Sequence, residues 1–396
     1  MSFENLTAVR SDSVLGLATA FLRDKAAGKI DLTVGVYRND QGRTPVMNAV
    51  AEAERAIIAA QTTKSYLPPI GPPGYRARIR RLVLGDLDDG LGDRTGVLQT
   101  TGGCGALRIG AELFARAQPG KPVYLSDPTW GNHDGLMSGA GLRIRTYPYF
   151  DASAHALRLD EMLDCLKNAP EHSLIVLQSS CHNPTGADPA PDAWAAILDT
   201  VERCGHLPFF DVAYQGLGTG LREDVLPVHM AAGRLGEFLV AVSCSKNFGL
   251  YRERCGALLM VTPDGSRKGV VESQVKDIAR GMYSMAPSHG ALIVDRVLSD
   301  SKLRSAWRRE LAGMSKRLAG LRTGLARAMD ERRPDLDFSW IARHKGLFLL
   351  PGIEPAAVDR LREENHIYMI RDGRINIAGL NKSNLATFAD ALAPLL

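Results

Sequence analysis

A lysine stands between two apolar stretches of the chain. Lys246 follows the apolar run at 238–242 and precedes a second one at 257–261. Short apolar runs of this length are typical of strands in a buried sheet. An amine at the end of a buried strand costs free energy unless it is neutral, paired or bound covalently. A purely structural lysine is the alternative interpretation, and it would be favoured if Lys246 stood alone.

The residues around Lys246 carry groups that suit a phosphate. Ser243 and Ser245 offer hydroxyl donors, and Arg254 offers a planar guanidinium that can donate to two phosphate oxygens at once. An amine that can form an imine, next to phosphate-binding groups, is the chemistry that pyridoxal phosphate (PLP) requires. The segment therefore predicts a PLP-binding lysine.

The segment at 243–256 resembles the cofactor-lysine segment of the aspartate/aromatic aminotransferases, which are class I PLP enzymes of fold type I. Its spacing, S-x-S-K-x-x-x-x-Y-x-x-R, is specific. Other family motifs follow in order, from V-G-V-Y at 34–37 to R-I-N-I-A-G at 374–379, so the resemblance covers nearly the whole chain. It implies a PLP-dependent aminotransferase with the fold of the type I PLP-dependent transferases.

A glycine-rich turn, T-G-G-C-G at 101–105, leads into a predicted helix. Gly102 and Gly103 let backbone N–H groups approach an anion, and the helix N-terminus adds positive potential. Taken alone, the turn could be a plain strand-to-helix connection. Together with the serines and the arginine around Lys246, it predicts a phosphate-binding cup. The family usually has threonine or serine where Cys104 stands, and a thiol is a poorer hydrogen-bond donor.

Further residues near predicted strand ends receive roles from the resemblance. It implies that Asn183, in S-C-H-N-P-T-G, donates to the phenolic oxygen of the cofactor, and that Tyr214 reaches the same oxygen. Asp211 ends an apolar strand, where an unpaired carboxylate is costly, and its partner in the family is the pyridinium nitrogen. Trp130 would stack on the cofactor ring, and His133 would support Asp211 from behind. The alternatives are a turn at Asn183, a helix cap at Asp211 and a core aromatic at Trp130.

The resemblance also assigns residues to the substrate side and to a second subunit. Arg374 matches the residue that binds the α-carboxylate with a bidentate guanidinium. Arg280 matches the residue that binds a side-chain carboxylate, and Tyr66 matches one that touches the phosphate; both come from the neighbouring subunit in the family. Gly35 belongs to the segment that closes over the substrate. A homodimer with shared active sites is therefore implied, whereas an unplaced arginine such as Arg280 would by default be a solvated surface residue.

The implied reaction moves the amino group of aspartate or of an aromatic L-amino acid (tyrosine, phenylalanine) to 2-oxoglutarate, giving a keto acid and L-glutamate. Freed Lys246 would move the substrate's Cα proton as general base and acid, and Asp211 would keep the ring nitrogen protonated. The resemblance implies that Tyr214 and Trp130 complete the catalytic set, and that Trp130 and Asn183 also contact the substrate. The alternatives are a PLP-dependent lyase or decarboxylase on the same fold, and a non-catalytic PLP-binding regulator.

Three positions bear on the preferred amino donor. Met285 stands where the aspartate branch of the family has an asparagine that helps to hold the arginine for the side-chain carboxylate. A thioether cannot donate and accepts only weakly. Val36 and Thr44, in contrast, match the aspartate branch rather than the aromatic one. We therefore expect both kinds of donor to be used.

The rest of the chain predicts an α/β fold. From residue 96 onward, apolar runs alternate with helical patterns at the spacing of βαβ units, which favours a mostly parallel sheet with helices on both faces. Seven strands are predicted, at 97–100, 123–126, 142–147, 174–178, 208–211, 238–242 and 257–261. Following the family, we expect a large PLP-binding α/β domain at 45–310. A smaller α+β domain would combine both chain ends, 1–44 and 311–396.

Shorter elements are predicted near the two ends of the chain. The sequence S-D-S at 11–13 suits the cap of a helix at 14–22, and residues 30–37 are typical of a strand. Near the C-terminus, the predicted strands at 367–370 and 374–377 are joined by an Asp-Gly dipeptide, which indicates a hairpin.

Composition bears on the partners and the location of the protein. The 396 residues are 45% hydrophobic and 23% charged, and the net charge is only +4, from scattered basic residues. Nucleic acid and membrane surfaces are therefore not expected as partners, and no metal site is predicted. Six cysteines without a C-x-x-C pair, and no signal-peptide pattern, predict reduced thiols and a cytoplasmic location.

Overall fold

The computed structural model describes residues 3–8 and 13–396. The strands in that part of the chain are β1 (Ile30–Asp31), β2 (Thr95–Thr101), β3 (Val123–Asp127), β4 (Ile144–Pro148), β5 (Phe150–Asp151), β6 (Ala156–Leu157), β7 (Leu174–Gln178), β8 (Leu207–Val212), β9 (Phe238–Ser243), β10 (Cys255–Val261), β11 (Phe348–Leu349), β12 (Ile367–Tyr368) and β13 (Ile375–Asn376). The α-helices are α1 (Ser13–Arg23), α2 (Asn48–Ala60), α3 (Pro73–Leu84), α4 (Asp88–Leu91), α5 (Gly102–Ala117), α6 (Asn132–Gly139), α7 (Leu159–Lys167), α8 (Pro191–Arg203), α9 (Leu226–Ala232), α10 (Gly265–Tyr283), α11 (Ser288–Ser299), α12 (Ser301–Arg332), α13 (Ser339–Arg343), α14 (Pro355–Asn365) and α15 (Leu385–Leu392). None of the described helices combines the length and the apolar character that a membrane span requires.

Seven of the strands form one mixed sheet, in the order β2-β10-β9-β8-β7-β3-β4. Strand β10 runs antiparallel to both of its neighbours, whereas the other neighbouring pairs run parallel. All seven strands predicted from apolar runs are present, and no end differs from its prediction by more than two residues. The predicted α/β fold with a mostly parallel sheet is therefore confirmed.

Both faces of this sheet are buried. In the internal strand β9, Val240 and Val242 belong to one hydrophobic cluster, and Leu239 and Ala241 belong to another. The first cluster includes residues of α2, α8 and α11, and the second includes residues of α5 and α10. Because helices cover both faces, the strands are apolar throughout and do not alternate with polar residues, which is why they were visible as continuous runs.

The carboxyl ends of the parallel strands lie at one edge of the sheet, where the polar residues of the motifs are found. Gln178, which ends β7, is in register with Asp211 of β8. Thr101, which ends β2, pairs with Cys255, the first residue of the antiparallel strand β10. This edge therefore gathers the Lys246 segment, the glycine-rich turn and Asp211, as is general for ligand sites in open α/β sheets.

A separate hydrophobic cluster combines residues from both ends of the chain. It contains Ile30 together with Phe338 and Phe388. In the same region β1 pairs in parallel with β12, and β11 pairs antiparallel with β13. The 32-residue helix α12 contributes residues to this cluster and to the cluster under the large sheet. The arrangement agrees with a small α+β domain made from both chain ends, and its boundaries at 45 and 310 stay predictions.

The predicted C-terminal hairpin is wrong, because β12 and β13 do not pair with each other. The turn itself forms, since the N–H of Gly373 donates to the carbonyl of Ile370. Leu32 separates the two strands: its N–H donates to the carbonyl of Tyr368, and its carbonyl accepts from the N–H of Asn376. Leu32 thus bonds the backbone groups of Tyr368 and Asn376 that would have faced each other in a hairpin.

Two predictions near the N-terminus need comment. Helix α1 begins at Ser13, and the two preceding residues of the proposed S-D-S cap lie outside the described residues. The strand predicted at 30–37 is limited to Ile30–Asp31. Beyond that point, the side-chain amide of Asn376 donates to two backbone carbonyls of the segment, so these groups do not join a sheet.

Candidate active site

A cavity of about 330 Å³ opens at the carboxyl edge of the large sheet. It brings together residues from distant parts of the chain. The predicted residues that line it are Gly35, Gly103, Cys104, Trp130, Asn183, Asp211, Tyr214, Ser243, Ser245, Lys246, Arg254 and Arg374. Gly102 is not one of the lining residues, but it lies against the guanidinium of Arg254, which is.

Lys246 lies in the turn after β9, and its side chain lines the cavity. Burial lowers the pKa of its amine, and the charge of Asp211 opposes this effect only in part. The amine nitrogen lies 5.2 Å from the centroid of the Tyr214 ring. An amine that loses its proton more readily is a better nucleophile and a better proton acceptor at neutral pH, so Lys246 suits covalent and base chemistry.

Asp211 presents a buried carboxylate at the end of β8, where it is 7% exposed. Its Oδ2 lies 3.0 Å from Nε2 of His133, and Nδ1 of the same ring lies 2.8 Å from the hydroxyl of Thr129. The predicted support of Asp211 by His133 is therefore confirmed. Because the histidine fixes one oxygen, the carboxylate is oriented for a second, cationic partner in the cavity.

The start of α5 and the Lys246 segment form a cup with anion-binding groups. Gly102 has a positive φ of 72°, and a Cβ atom there would lie 2.4 Å from Nη2 of Arg254. Nη1 of Arg254 donates to the hydroxyl of Ser245 at 3.3 Å and to the carbonyl of Tyr251 at 2.8 Å. Any side chain at Gly102 would displace the guanidinium, so the glycine is needed for the backbone of the helix N-terminus and the arginine to face one anion.

Cys104 lies in the first turn of α5 and faces this cup. Nδ2 of Asn132 makes a long contact with its sulfur, at 3.8 Å. A thiol donates weakly, so at this position the cup relies on backbone N–H groups more than on the side chain.

Aromatic side chains border the cavity between the cup and Arg374. The Trp130 ring packs edge-on against the His133 ring at a centroid distance of 5.3 Å. Tyr214 is 5% exposed, and burial raises the pKa of its hydroxyl, which keeps it protonated as a donor. Its ring meets the Phe348 ring edge-on at 5.9 Å. These flat surfaces suit a planar ring system in the cavity.

Arg374 forms the other end of the cavity, where its side chain is largely buried. Nη1 donates to Oδ1 of Asn183 at 3.0 Å, and Nη2 donates to the carbonyl of Thr33 at 3.3 Å. The guanidinium carbon also lies 4.6 Å from the centroid of the Phe348 ring. A guanidinium fixed in this way suits a carboxylate, because its planar face and its donors are already oriented.

Two predicted residues are not brought into the cavity. Tyr66 is 91% exposed in the loop between α2 and α3. Arg280 is exposed on the last turn of α10, where Nη1 lies 3.5 Å from the hydroxyl of Ser284. Their roles therefore stay predictions that depend on a second subunit.

Other residues that line the cavity were not predicted from the sequence. They are Leu107, Gln178, Ala213 and Phe348. Gln178 had a usable signal, because it is a polar residue at the carboxyl end of a predicted parallel strand, as Asp211 is. The apolar residues had none, since their side chains carry no chemistry that distinguishes them from the core.

Comparison with known proteins agrees with this geometry. The family model described as aminotransferase class I and II matches residues 27–392. The aromatic-amino-acid aminotransferase of Pseudomonas aeruginosa is 41% identical over 392 residues, which cover 99% of this chain and 98% of that protein. The aspartate aminotransferase of Escherichia coli is 38% identical over 395 residues, which cover 100% of both proteins. The crystal structure of the aromatic-amino-acid aminotransferase from Burkholderia pseudomallei, covalently bound to pyridoxal phosphate, has a TM-score of 0.96 to this chain, with 39% identity and coverage of 100% of both chains. The chain belongs to the family of class I and II aminotransferases.

Proposed function

We propose that the protein is a PLP-dependent aminotransferase that takes its amino group from aspartate and from aromatic L-amino acids and passes it to 2-oxoglutarate. One observation carries the proposal: the amine of Lys246, whose pKa is lowered, the buried carboxylate of Asp211 and the buried guanidinium of Arg374 line the same cavity. Family membership supports the reaction class, and the relatives named for aspartate and for aromatic amino acids support the two donor types.

The residues of the cavity fit PLP. The amine of Lys246 can bind its aldehyde carbon, since burial favours the neutral amine. The cup suits its phosphate, with lining residues Gly103, Ser243, Ser245 and Arg254. The absence of a side chain at Gly102 leaves room for the guanidinium of Arg254 beside the start of the helix.

The chain's own residues divide the work of the reaction. When bound, PLP supplies a ring that accepts electron density from the carbon that exchanges its amino group. Lys246 accepts the Cα proton at Nζ and returns it, as base and then as acid. Asp211, held by His133, keeps a proton on the ring nitrogen. Arg374 binds the α-carboxylate and thereby orients the substrate towards Lys246.

A second copy of the chain would complete the site. Arg280 supplies a cation for a side-chain carboxylate, and Tyr66 supplies a hydroxyl for the phosphate, once a partner places them over this cavity. Their exposure supports the proposal, as does the exposure of large apolar residues nearby in the sequence, Ile58 and Met282, which are 62% and 42% exposed. Exposed apolar side chains of this size are typical of interfaces. We place this homodimer in the cytoplasm.

The test uses the purified, PLP-loaded protein and a panel of amino donors. Incubation with glutamate, aspartate or phenylalanine in the absence of a keto acid should convert the bound chromophore to its amine form, and addition of 2-oxoglutarate should restore it. A regulator would bind without turnover, and a lyase or decarboxylase would release ammonia or carbon dioxide. Either result, without keto acid formation, would contradict the proposal. Light scattering on the same sample measures whether the protein is a dimer.

A further inference from the structure

Gln178 is a buried polar residue of the cavity wall that the reaction described above does not use. It ends β7 and is 7% exposed. Its Nε2 donates to the carbonyl of Asn183 at 3.0 Å, and its Oε1 accepts from the N–H of Asn183 at 2.8 Å. One side-chain amide thus bonds both backbone groups of a single residue in the following loop.

These two bonds occur where the chain leaves the sheet. Cys181 has a positive φ of 54°, so the segment after β7 turns away from the strand direction. Asn183 is 4% exposed, and buried backbone groups without partners cost free energy. A side-chain amide offers a donor and an acceptor in one plane, as a neighbouring strand would. The side chain of Gln178 therefore supplies the two hydrogen bonds that a neighbouring strand would otherwise make to the backbone of Asn183.

The side chain of Asn183 is also held, by a different partner. Its Oδ1 accepts from Nη1 of Arg374 at 3.0 Å. A guanidinium only donates, so the oxygen of the Asn183 amide faces Arg374 and the Nδ2 donor faces away from it. With the backbone held by Gln178 and the oxygen held by Arg374, the direction of Nδ2 is fixed.

We propose that Gln178 is a positioning residue, which holds Asn183 so that its Nδ2 donates to the phenolic oxygen of the cofactor. The inference rests on the proposed function, because it requires PLP in this cavity. A donor to that oxygen stabilises the phenolate most when the lysine-bound cofactor has lost its imine proton, since the negative charge then has no proton beside it. Gln178 therefore lowers the pKa of the lysine-bound cofactor through Asn183.

The experiment is a pH titration of the absorption of the lysine-bound cofactor in the full-length, PLP-loaded protein without substrate. Gln178→Met keeps the length of the side chain and removes both hydrogen bonds. We expect the midpoint to rise by at least ~0.5 pH unit, a part of the one to two units that one hydrogen bond to a charged atom is worth. Gln178→Asn keeps the amide but is one methylene shorter and cannot reach both groups, so its midpoint should also rise. It serves as the second variant if Gln178→Met does not fold.

The controls separate positioning from general stability. Gln215 is an equally buried amide whose Nε2 donates to the carbonyls of Leu82 and Leu221, and it does not line the cavity. Gln215→Met should lower the melting temperature and leave the midpoint unchanged. In the background of Asn183→Ala, Gln178→Met should add no further shift, because its effect passes through Asn183.

Each outcome decides the inference. An unchanged midpoint in both Gln178 variants would overturn it, and so would an equal shift with and without Asn183. A parent protein that shows no lysine-bound cofactor at all would refute the proposed function itself, together with the inference. If the parent binds the cofactor and its absorption changes with pH, but both Gln178 variants have the same midpoint as the parent, the proposed function stands and the role of Gln178 is refuted.

Discussion

Arg374 and Asn183 are 191 residues apart in the sequence, and a hydrogen bond of 3.0 Å joins Nη1 of the arginine to Oδ1 of the asparagine. This bond connects the segment before β13 to the loop after β7 of the large sheet. The same guanidinium donates to the carbonyl of Thr33, near the N-terminal end of the chain. A carboxylate that binds Arg374 therefore contacts a residue that is hydrogen-bonded both to the N-terminal segment and to the loop after β7 of the large sheet.

Replacement of Lys246 by alanine should abolish transamination and leave the fold intact. The variant should still bind PLP without a covalent bond, because the anion-binding cup is unchanged. Activity should be lost because no other predicted site residue has an amine that can form the imine with the cofactor and then move the Cα proton. Turnover of aspartate and circular dichroism measure the two effects. Lys302, which is exposed on α12, is the matched control, and Lys302→Ala should behave like the parent. Full activity in Lys246→Ala would refute the assignment.

Asp211→Ala should weaken the binding of PLP and slow proton transfer at Cα, whereas Asp211→Glu should do much less harm. The reason is that removal of one partner of a buried ion pair costs roughly 3–5 kcal/mol, while glutamate keeps the charge. Cofactor titration gives the first effect, and single-turnover kinetics at saturating PLP give the second. If Asp211→Ala reacted at the parent rate when saturated with PLP, its role at the ring nitrogen would be wrong.

Much of the large sheet was predictable, for a physical reason. Strands buried on both faces are continuous apolar runs, and the runs at 238–242 and 257–261 gave β9 and β10 within one or two residues at each end. The groups with chemistry follow such strands directly, so the sequence alone placed both Lys246 and Asp211 at strand ends, where ligand sites of α/β sheets lie.

The remainder depends on contacts between distant segments. The C-terminal hairpin was wrong because the pairing of β12 was decided by β1, more than 300 residues earlier in the chain, rather than by the local Asp-Gly turn. The contact of Gln178 with Asn183 depends on the positive φ of Cys181, a conformation that a residue other than glycine rarely adopts and that the sequence did not indicate. Phe348 lies on a two-residue strand, and its contacts with Arg374 and Tyr214 join separate segments of the chain, which the sequence around Phe348 does not reveal.

Cys104→Thr should tighten the binding of PLP. A hydroxyl would add a strong donor to the phosphate cup in place of a weak one, and one hydrogen bond to a charged group is worth at least about 1.5 kcal/mol, or about tenfold in the dissociation constant. Titration of the cofactor-free protein by absorption measures the constant. Cys204 directly follows α8 and does not line the cavity, so Cys204→Thr should leave the constant unchanged. Equal affinities for parent and Cys104→Thr would show that the side chain at position 104 does not contribute to phosphate binding.

His344 should make the fold sensitive to mild acid. Burial, and secondly the charge of Arg322, lower the pKa of its ring from 6.5 to about 4. The unfolded chain binds a proton below about pH 6.5 and the folded chain does not, so stability is lost as the pH falls from 6.5 towards 4. The loss between pH 7.5 and 5 is about 2 kcal/mol.

Urea denaturation of parent and His344→Phe at these two pH values measures this contribution. The variant should lose less stability on acidification, because its ring takes no proton in the unfolded chain. The same difference between the two pH values in the parent and in His344→Phe would contradict the role of His344.

Arg280 should distinguish the two types of amino donor. Its guanidinium is expected to bind the side-chain carboxylate of aspartate in the partner's cavity, and truncation of one partner of a buried charge pair costs about 2–5 kcal/mol. Arg280→Ala should therefore lower kcat/KM for aspartate by at least ~30-fold. The effect on phenylalanine should be several-fold smaller, because an aromatic ring needs no cation.

The neighbours of Arg280 set how far this distinction goes. In this subunit, Nη1 of Arg280 has a long contact of 3.5 Å with Ser284, and Met285 follows where a side-chain amide would hold the arginine more firmly. A loosely held guanidinium can move aside for a ring, which is why we expect both donors to react in the parent. Met285→Asn should therefore raise the preference for aspartate over phenylalanine, and Met282→Asn, on the same segment, should not. Equal losses for both donors in Arg280→Ala would make Arg280 a structural residue, and a parent without aromatic turnover would remove the second donor class.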